Sequence, residues 1–186
     1  MLRRLDARLA DLKTVDEFSR SLASQTDYSR LLEVLAGQVS AILGEGHDFT
    51  LANYNMETLE IEILHEIMDG ETLQPYSYEF GSDLLSEVIR FNRPILVESS
   101  SSAKAHLLRP DQHGRIPQSW MGIPLNLGGV TVGALAFANT QREKCFTAEQ
   151  LELLTILSSP VAASVKNTLL LREIDQVRSR YQQEAF

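Results

Sequence analysis

The sequence predicts an α+β domain built on an antiparallel sheet, and three observations carry that prediction. Residues 28–42 hold apolar side chains at helical spacing, whereas residues 49–80 switch to alternation with a period of two. Two apolar runs, 119–127 and 130–138, flank Gly128-Gly129, which is a strong hairpin signal. Residues 147–169 then return to helical spacing.

Along the chain, Leu2, Leu5, Leu9 and Leu12 form one apolar stripe on an amphipathic helix, continued by Val15, Phe18 and Leu22. Ser24-Gln25-Thr26-Asp27 breaks that helix, and Thr26 or Asp27 caps the next. The second helix buries Tyr28, Leu31, Leu32, Leu35, Val39 and Ile42 and ends near Gly44-Glu45-Gly46. Phe49, Leu51 and Asn53 alternate with Thr50, Ala52 and Tyr54. Leu59, Ile61, Ile63 and Ile67 then alternate with Glu60, Glu62 and Glu66, so the glutamate face is expected to be wet or edge-like. Asp69-Gly70 marks a turn, and Tyr76, Tyr78 and Phe80 form a third alternating segment.

Gly81-Ser82-Asp83 opens a short helix that stops before Pro94, because a residue preceding proline avoids the helical region. Ile95-Leu96-Val97 reads as a short buried strand. Residues 98–118 have no clear period and include four consecutive serines, so the stretch is expected to be functional or mobile. Thr147 and Gln150 fit a capping box with Phe146 and Leu151 as its staple. Pro160 predicts a kink in the helix that follows. Beyond it, Leu170, Ile174, Val177 and Tyr181 recur at coiled-coil spacing. With the matching stripe at Leu2–Leu12, that pattern implies dimer helices at both ends.

The chain has 186 residues, about one domain, with 44% hydrophobic and 23% charged residues, which excludes a disordered or fibrous chain. Its formal net charge is −8, so no nucleic acid and no anionic membrane partner is expected. No apolar run is read as reaching the roughly 18 residues of a membrane span. The single cysteine excludes an internal disulfide and a Cys-based zinc site. A cytoplasmic location is the expectation.

Three blocks in order resemble the GAF domain family. The first is Phe80-Gly81-Ser82-Asp83 through Arg93-Pro94-Ile95-Leu96-Val97, a glycine-opened helix leading into a proline and a strand. The second is Ser119-Trp120-Met121-Gly122-Ile123-Pro124-Leu125 followed by Gly129-Val130-Thr131-Val132-Gly133-Ala134-Leu135. The third, Phe146-Thr147-Ala148-Glu149-Gln150-Leu151, is similar to the start of the family's last helix. The resemblance spans about residues 25–170. It implies an antiparallel sheet of about six strands with helices on both faces. It also implies a sensory or dimerisation role, with any pocket between the sheet and segment 98–118. Residues 1–24 and 171–186 are then the flanking helices.

The chemistries found in that family can be tested against these residues. Some members bind cyclic nucleotides through an Asn-Lys…Phe-x-x-x-Asp-Glu pattern, matched here only by Asn139 and Phe146. Thr140, Gln150 and Leu151 stand at the charged positions, so the motif is degraded and a Lys–Asp ion pair cannot form, though a cyclic nucleotide stays among the possible ligands. Asn139, Phe146 and Gln150 also have structural readings, as strand end, staple and cap. Cys145 has no adjacent histidine, so no covalent bilin is expected. Free methionine sulfoxide reductases of this fold cycle several cysteines, and one cysteine cannot both attack and resolve. His47, His65, His106 and His113 lack metal-ligand spacing.

A non-covalent small-molecule site is the functional reading that remains. Its candidate residues are Tyr76, Tyr78, Phe80 and Trp120 as aromatic walls, with His106, Arg109, Asp111 and His113 from the loop. Arg109 is the candidate anion contact. The sequence thus predicts no enzyme. It predicts a sensory GAF-like module acting as a homodimer, beside an output domain such as a kinase, cyclase or phosphatase. A ligand-free dimerisation or protein-interaction module is the alternative, and an enzyme like the free methionine sulfoxide reductases is the less favoured one.

Overall fold

A computed structural model describes residues 28–110 and 114–184, with Lys13, Asp16, Glu17, Arg20 and Ser21 before them. The latter five are helical, and Arg20 pairs with Asp16 at 2.7 Å. The stripe at Leu2, Leu5, Leu9 and Leu12, its continuation at Val15, Phe18 and Leu22, and the break at Ser24–Asp27 lie outside the described residues.

The elements follow the predicted order. Helix α1 spans Tyr28–Leu43, β1 Asp48–Asn55, β2 Glu60–Met68, β3 Glu71–Thr72 and β4 Tyr76–Glu79. Helix α2 spans Leu84–Phe91, β5 Ile95–Val97, β6 Ser119–Leu127, β7 Val130–Asn139 and α3 Ala148–Glu184. Every strand pair is antiparallel, in the order β3-β2-β1-β7-β6-β5, with β4 also on β2. The sheet is six positions wide, because β3 and β4 share one edge.

The local signals explain the elements. Gly128 and Gly129 both have positive φ, the backbone that a two-residue hairpin with this twist requires, and they join Leu127 to Val130 directly. The Thr147 amide donates to Gln150 Oε1 at 2.9 Å and the Gln150 amide to Thr147 Oγ1 at 3.2 Å, completing the capping box. Gln150 Nε2 also donates to the Ile42 carbonyl at 3.2 Å, so the cap of α3 satisfies an end carbonyl of α1. Helix α3 runs on through Pro160 for 37 residues. Its Ala148–Arg178 part is long and apolar enough to cross a membrane by length and composition, which corrects the reading that no such run exists. Leu154, Leu157, Val161 and Val165 of that helix are buried in the domain's own core.

The two faces of the sheet are covered differently. On one, α1 and α3 bury Leu31, Leu35, Leu51, Ile123, Leu135 and Phe137 in an apolar core. Lys166 of α3 reaches the same face, donating to Asn53 Oδ1 at 2.6 Å, while Asn53 Nδ2 donates to Glu62 at 2.7 Å. On the other face, α2 and residues 98–110 cover Ile61, Ile63, Val97, Trp120, Ala134 and Ala136. Strand β7 shows the asymmetry residue by residue. Leu135 and Phe137 point to the helices, and Ala134, Ala136 and Ala138 point to α2. Large side chains fill one face and small ones leave room on the other.

Strand β2 departs from the expected alternation. Leu51 of β1 pairs with His65 and Ala52 with Ile63, so Leu64 is an extra, bulged residue. A bulge reverses which face the following residues take. Ile61 and Ile63 accordingly pack with α2, while Ile67 packs with the helix core, which corrects their placement on one face. Glu66 turns inward and is 4% exposed, so it is not part of a wet row of glutamates. Leu59 is not in the strand; it sits in the β1–β2 turn with a positive φ and is 56% exposed.

Candidate functional site

Under α2 and residues 107–110 lies a cavity of about 140 Å³. Ala136 and Ala138 of β7 and Trp120 of β6 contribute to its floor. The Trp120 indole lies across Gly122, where a Cβ would come within 2.1 Å of the ring, so glycine there makes the indole's position possible. Tyr76 and Tyr78, with ring centroids 6.3 Å apart, form one wall, and Leu108 and Arg109 line the cavity from the loop.

Glu66 is the polar centre of this cavity. Its Oε1 accepts from Thr50 Oγ1 at 2.9 Å and its Oε2 from the Tyr76 hydroxyl at 3.0 Å. Burial pushes the carboxyl above the usual carboxylate range, and the two hydroxyls partly offset that. Burial and the Glu66 carboxylate raise the Tyr76 hydroxyl; burial and Asp83 raise that of Tyr78. Both phenols therefore keep their protons and remain donors.

A second polar cluster closes one side. Asp83 is the N-cap of α2, and its Oδ1 accepts from the Ser86 amide at 2.7 Å. Its Oδ2 accepts from Arg109 at 3.2 Å, and the Arg109 guanidinium stands 4.0 Å over the Tyr78 ring. The loop is tied down further by Lys104 to Glu87 of α2 and by Arg115 to Asp69 in the β2–β3 turn. The serine run is an ordered turn, in which the Ser102 amide donates to the Ser99 carbonyl at 3.0 Å.

The structure sorts the predicted site residues. Tyr76, Tyr78, Arg109 and Trp120 converge on the cavity. Arg109 is not a free anion contact, because Asp83 and Tyr78 already hold its guanidinium. Phe80 is absent from the cavity lining; it packs on Tyr54 at 4.9 Å under the Arg90 guanidinium. His106 lies on the outer side of the loop, its Nδ1 3.0 Å from the Ala103 carbonyl. Asp111 and His113 lie outside the described residues. Glu66, Thr50 and Asp83 are cavity-lining positions that the sequence reading does not include. The adjacent apolar pair Ile63-Leu64, interrupting a strict alternation, is the signal that would have found Glu66.

The degraded nucleotide motif performs structural work. Asn139 Oδ1 accepts from the Gln141 and Arg142 amides at 3.0 and 2.8 Å, and Phe146 packs on His47 at 4.9 Å. Cys145 Sγ lies 3.4 Å from the Arg142 carbonyl, and the cysteine does not line the cavity.

Comparison with known proteins agrees with this architecture. The profile of the GAF domain family matches residues 51–166. The chain is similar to the GAF domain of an Acinetobacter phosphoenolpyruvate-protein phosphotransferase, at 16% identity and a TM-score of 0.68, over 86% of this chain and 94% of that one. It is similar to residues 122 to 287 of a methyl-accepting chemotaxis protein, at 12% identity and a TM-score of 0.65, over 83% and 98% of the two chains. A free methionine-R-sulfoxide reductase from Neisseria meningitidis, solved with its substrate, matches at 13% identity and a TM-score of 0.59, over 86% and 90%. No curated protein sequence matches the chain.

Proposed function

The chain belongs to the GAF domain family, and from that premise we propose that it is a regulatory module that binds a small molecule in the Glu66 cavity. GAF domains occur in signalling proteins such as chemotaxis receptors. The observation that carries the reading is the bulge at Leu64, which turns a carboxylate into a chamber that apolar packing would otherwise fill. A buried charge costs stability unless something compensates it, and a site is where such a cost persists. The reading is regulatory rather than enzymatic, because the lone Cys145 lies off the cavity. No thiol-dependent reduction of free methionine sulfoxide is expected, and measurable turnover would overturn that part.

The module acts as a homodimer through its end helices. Leu170, Ile174, Val177 and Tyr181 are 55%, 62%, 50% and 71% exposed and recur at spacings of 4, 3 and 4 along α3. A second copy laid parallel along that stripe buries it. An output such as a kinase, cyclase or phosphatase, in the cytoplasm, is the partner this function calls for. Light scattering of the full chain tests the dimer. Wild type is expected at twice the chain mass and the double variant Leu170→Glu, Ile174→Glu at the chain mass. A monomeric wild type at micromolar concentration contradicts it.

A further inference from the structure

We propose that the cavity selects a small organic cation, an alkylammonium or a molecule of that chemistry, seated on Glu66. This rests on the reading of the cavity as a ligand site and goes further by fixing the sign and size of the ligand.

Three observations converge. The first is the valence of Glu66. Each carboxylate oxygen accepts one hydroxyl proton, from Thr50 or from Tyr76, and has acceptor capacity left for a further N–H. The donors already in place fix the carboxylate's orientation and leave it acceptor-only, which is a receptor for an ammonium group. The second is the charge balance of the lining. Glu66 and Asp83 face one cation, Arg109, and that cation is held by Asp83. An anionic ligand would meet Glu66 at close range with no uncommitted positive group among the described lining residues. A cation neutralises the excess.

The third is the wall. Tyr76, Tyr78 and Trp120 present aromatic rings to a space only 140 Å³ in volume. That is below the roughly 300–1,000 Å³ of drug-sized sites, so the ligand is small. Aromatic rings attract cations, and the Arg109 guanidinium 4.0 Å above Tyr78 already makes that contact at the rim. A metal ion fits poorly, since no group of three His, Cys, Asp or Glu side chains converges to hold one among the described residues.

The test uses Trp120, the chain's one tryptophan and part of the cavity lining, as a built-in reporter. The full chain is titrated with propylammonium chloride, sodium propionate and 1-propanol at equal ionic strength and pH 7.5, following indole fluorescence. Propylammonium is expected to give a saturable change at a concentration about tenfold or more below either isostere. Glu66→Gln is expected to weaken that response about tenfold or more while the circular dichroism spectrum stays unchanged. Equal or tighter binding of propionate or propanol overturns the cation assignment and leaves the cavity standing as a ligand site. No saturable response to any of the three overturns both.

Discussion

The two faces of one sheet solve different problems. Against α1 and α3 the sheet presents Leu51, Ile123, Leu135 and Phe137, all 1% exposed or less, in a continuous apolar core. Against α2 and residues 98–110 it presents a second apolar cluster around Ile61, Ile63 and Trp120, in which alanines and a buried carboxylate leave a cavity. There the cover is fastened by ion pairs, Arg109–Asp83, Lys104–Glu87 and Arg115–Asp69, whose members are partly exposed. Apolar burial is strong and insensitive to salt, whereas partly exposed ion pairs are each worth about 0.2–1 kcal/mol and are screened. The helix face therefore carries the larger apolar core, and the loop that covers the other face is the more weakly fastened.

Substitutions on the two faces should separate on that basis. The largest effect is expected on the helix face. Phe137→Ala removes a side chain 1% exposed and should lower unfolding free energy by about 3–5 kcal/mol in urea titrations. A loss under about 1 kcal/mol would mean that this face is not the stabilising one. Asp83→Ala removes both the α2 cap and the Arg109 partner, and should cost about 0.5–2 kcal/mol. It should also speed amide exchange in residues 105–110 while leaving β6 and β7 unaffected.

The pH response distinguishes the faces again. Burial lowers the pKa of His47 and His65 from 6.5 in this fold. The unfolded chain then takes up protons first as pH falls from 7.5 to 5.5, and stability declines over that window. Glu66 works in the opposite sense. Its raised pKa makes a contribution that is present at low pH and is lost as pH rises. The urea midpoint should therefore fall between pH 7.5 and 5.5, and more steeply in Glu66→Gln. The smallest effect expected is that of salt. Raising NaCl to about 0.5 M should speed limited proteolysis within 98–110 and shift the melting temperature little. Equal acceleration in β6 and β7 would erase the distinction.

The elements were legible in the sequence because each carried its own local signal. The hairpin glycines, the Thr147–Gln150 box and the helical spacing of Leu154, Leu157, Val161 and Val165 need no tertiary information. The site was legible only in part. Tyr76, Tyr78, Arg109 and Trp120 were found because aromatic and cationic side chains near a long loop suggest a pocket. Glu66 was read as solvated, since one inserted residue at Leu64 changes the face of everything after it. Arg109 was read as an anion contact, because its pairing with Asp83 spans 26 positions and leaves no local pattern.

The most direct test is the melting temperature of Glu66→Gln beside that of wild type at pH 7.5. If Glu66 serves a ligand, removing a buried charge should leave the melting temperature unchanged or higher, since charge at that position is disfavoured by burial. A fall of about 4 °C or more, corresponding to about 1–2 kcal/mol in a chain of this size, would show that the carboxylate holds the fold together and would contradict the account.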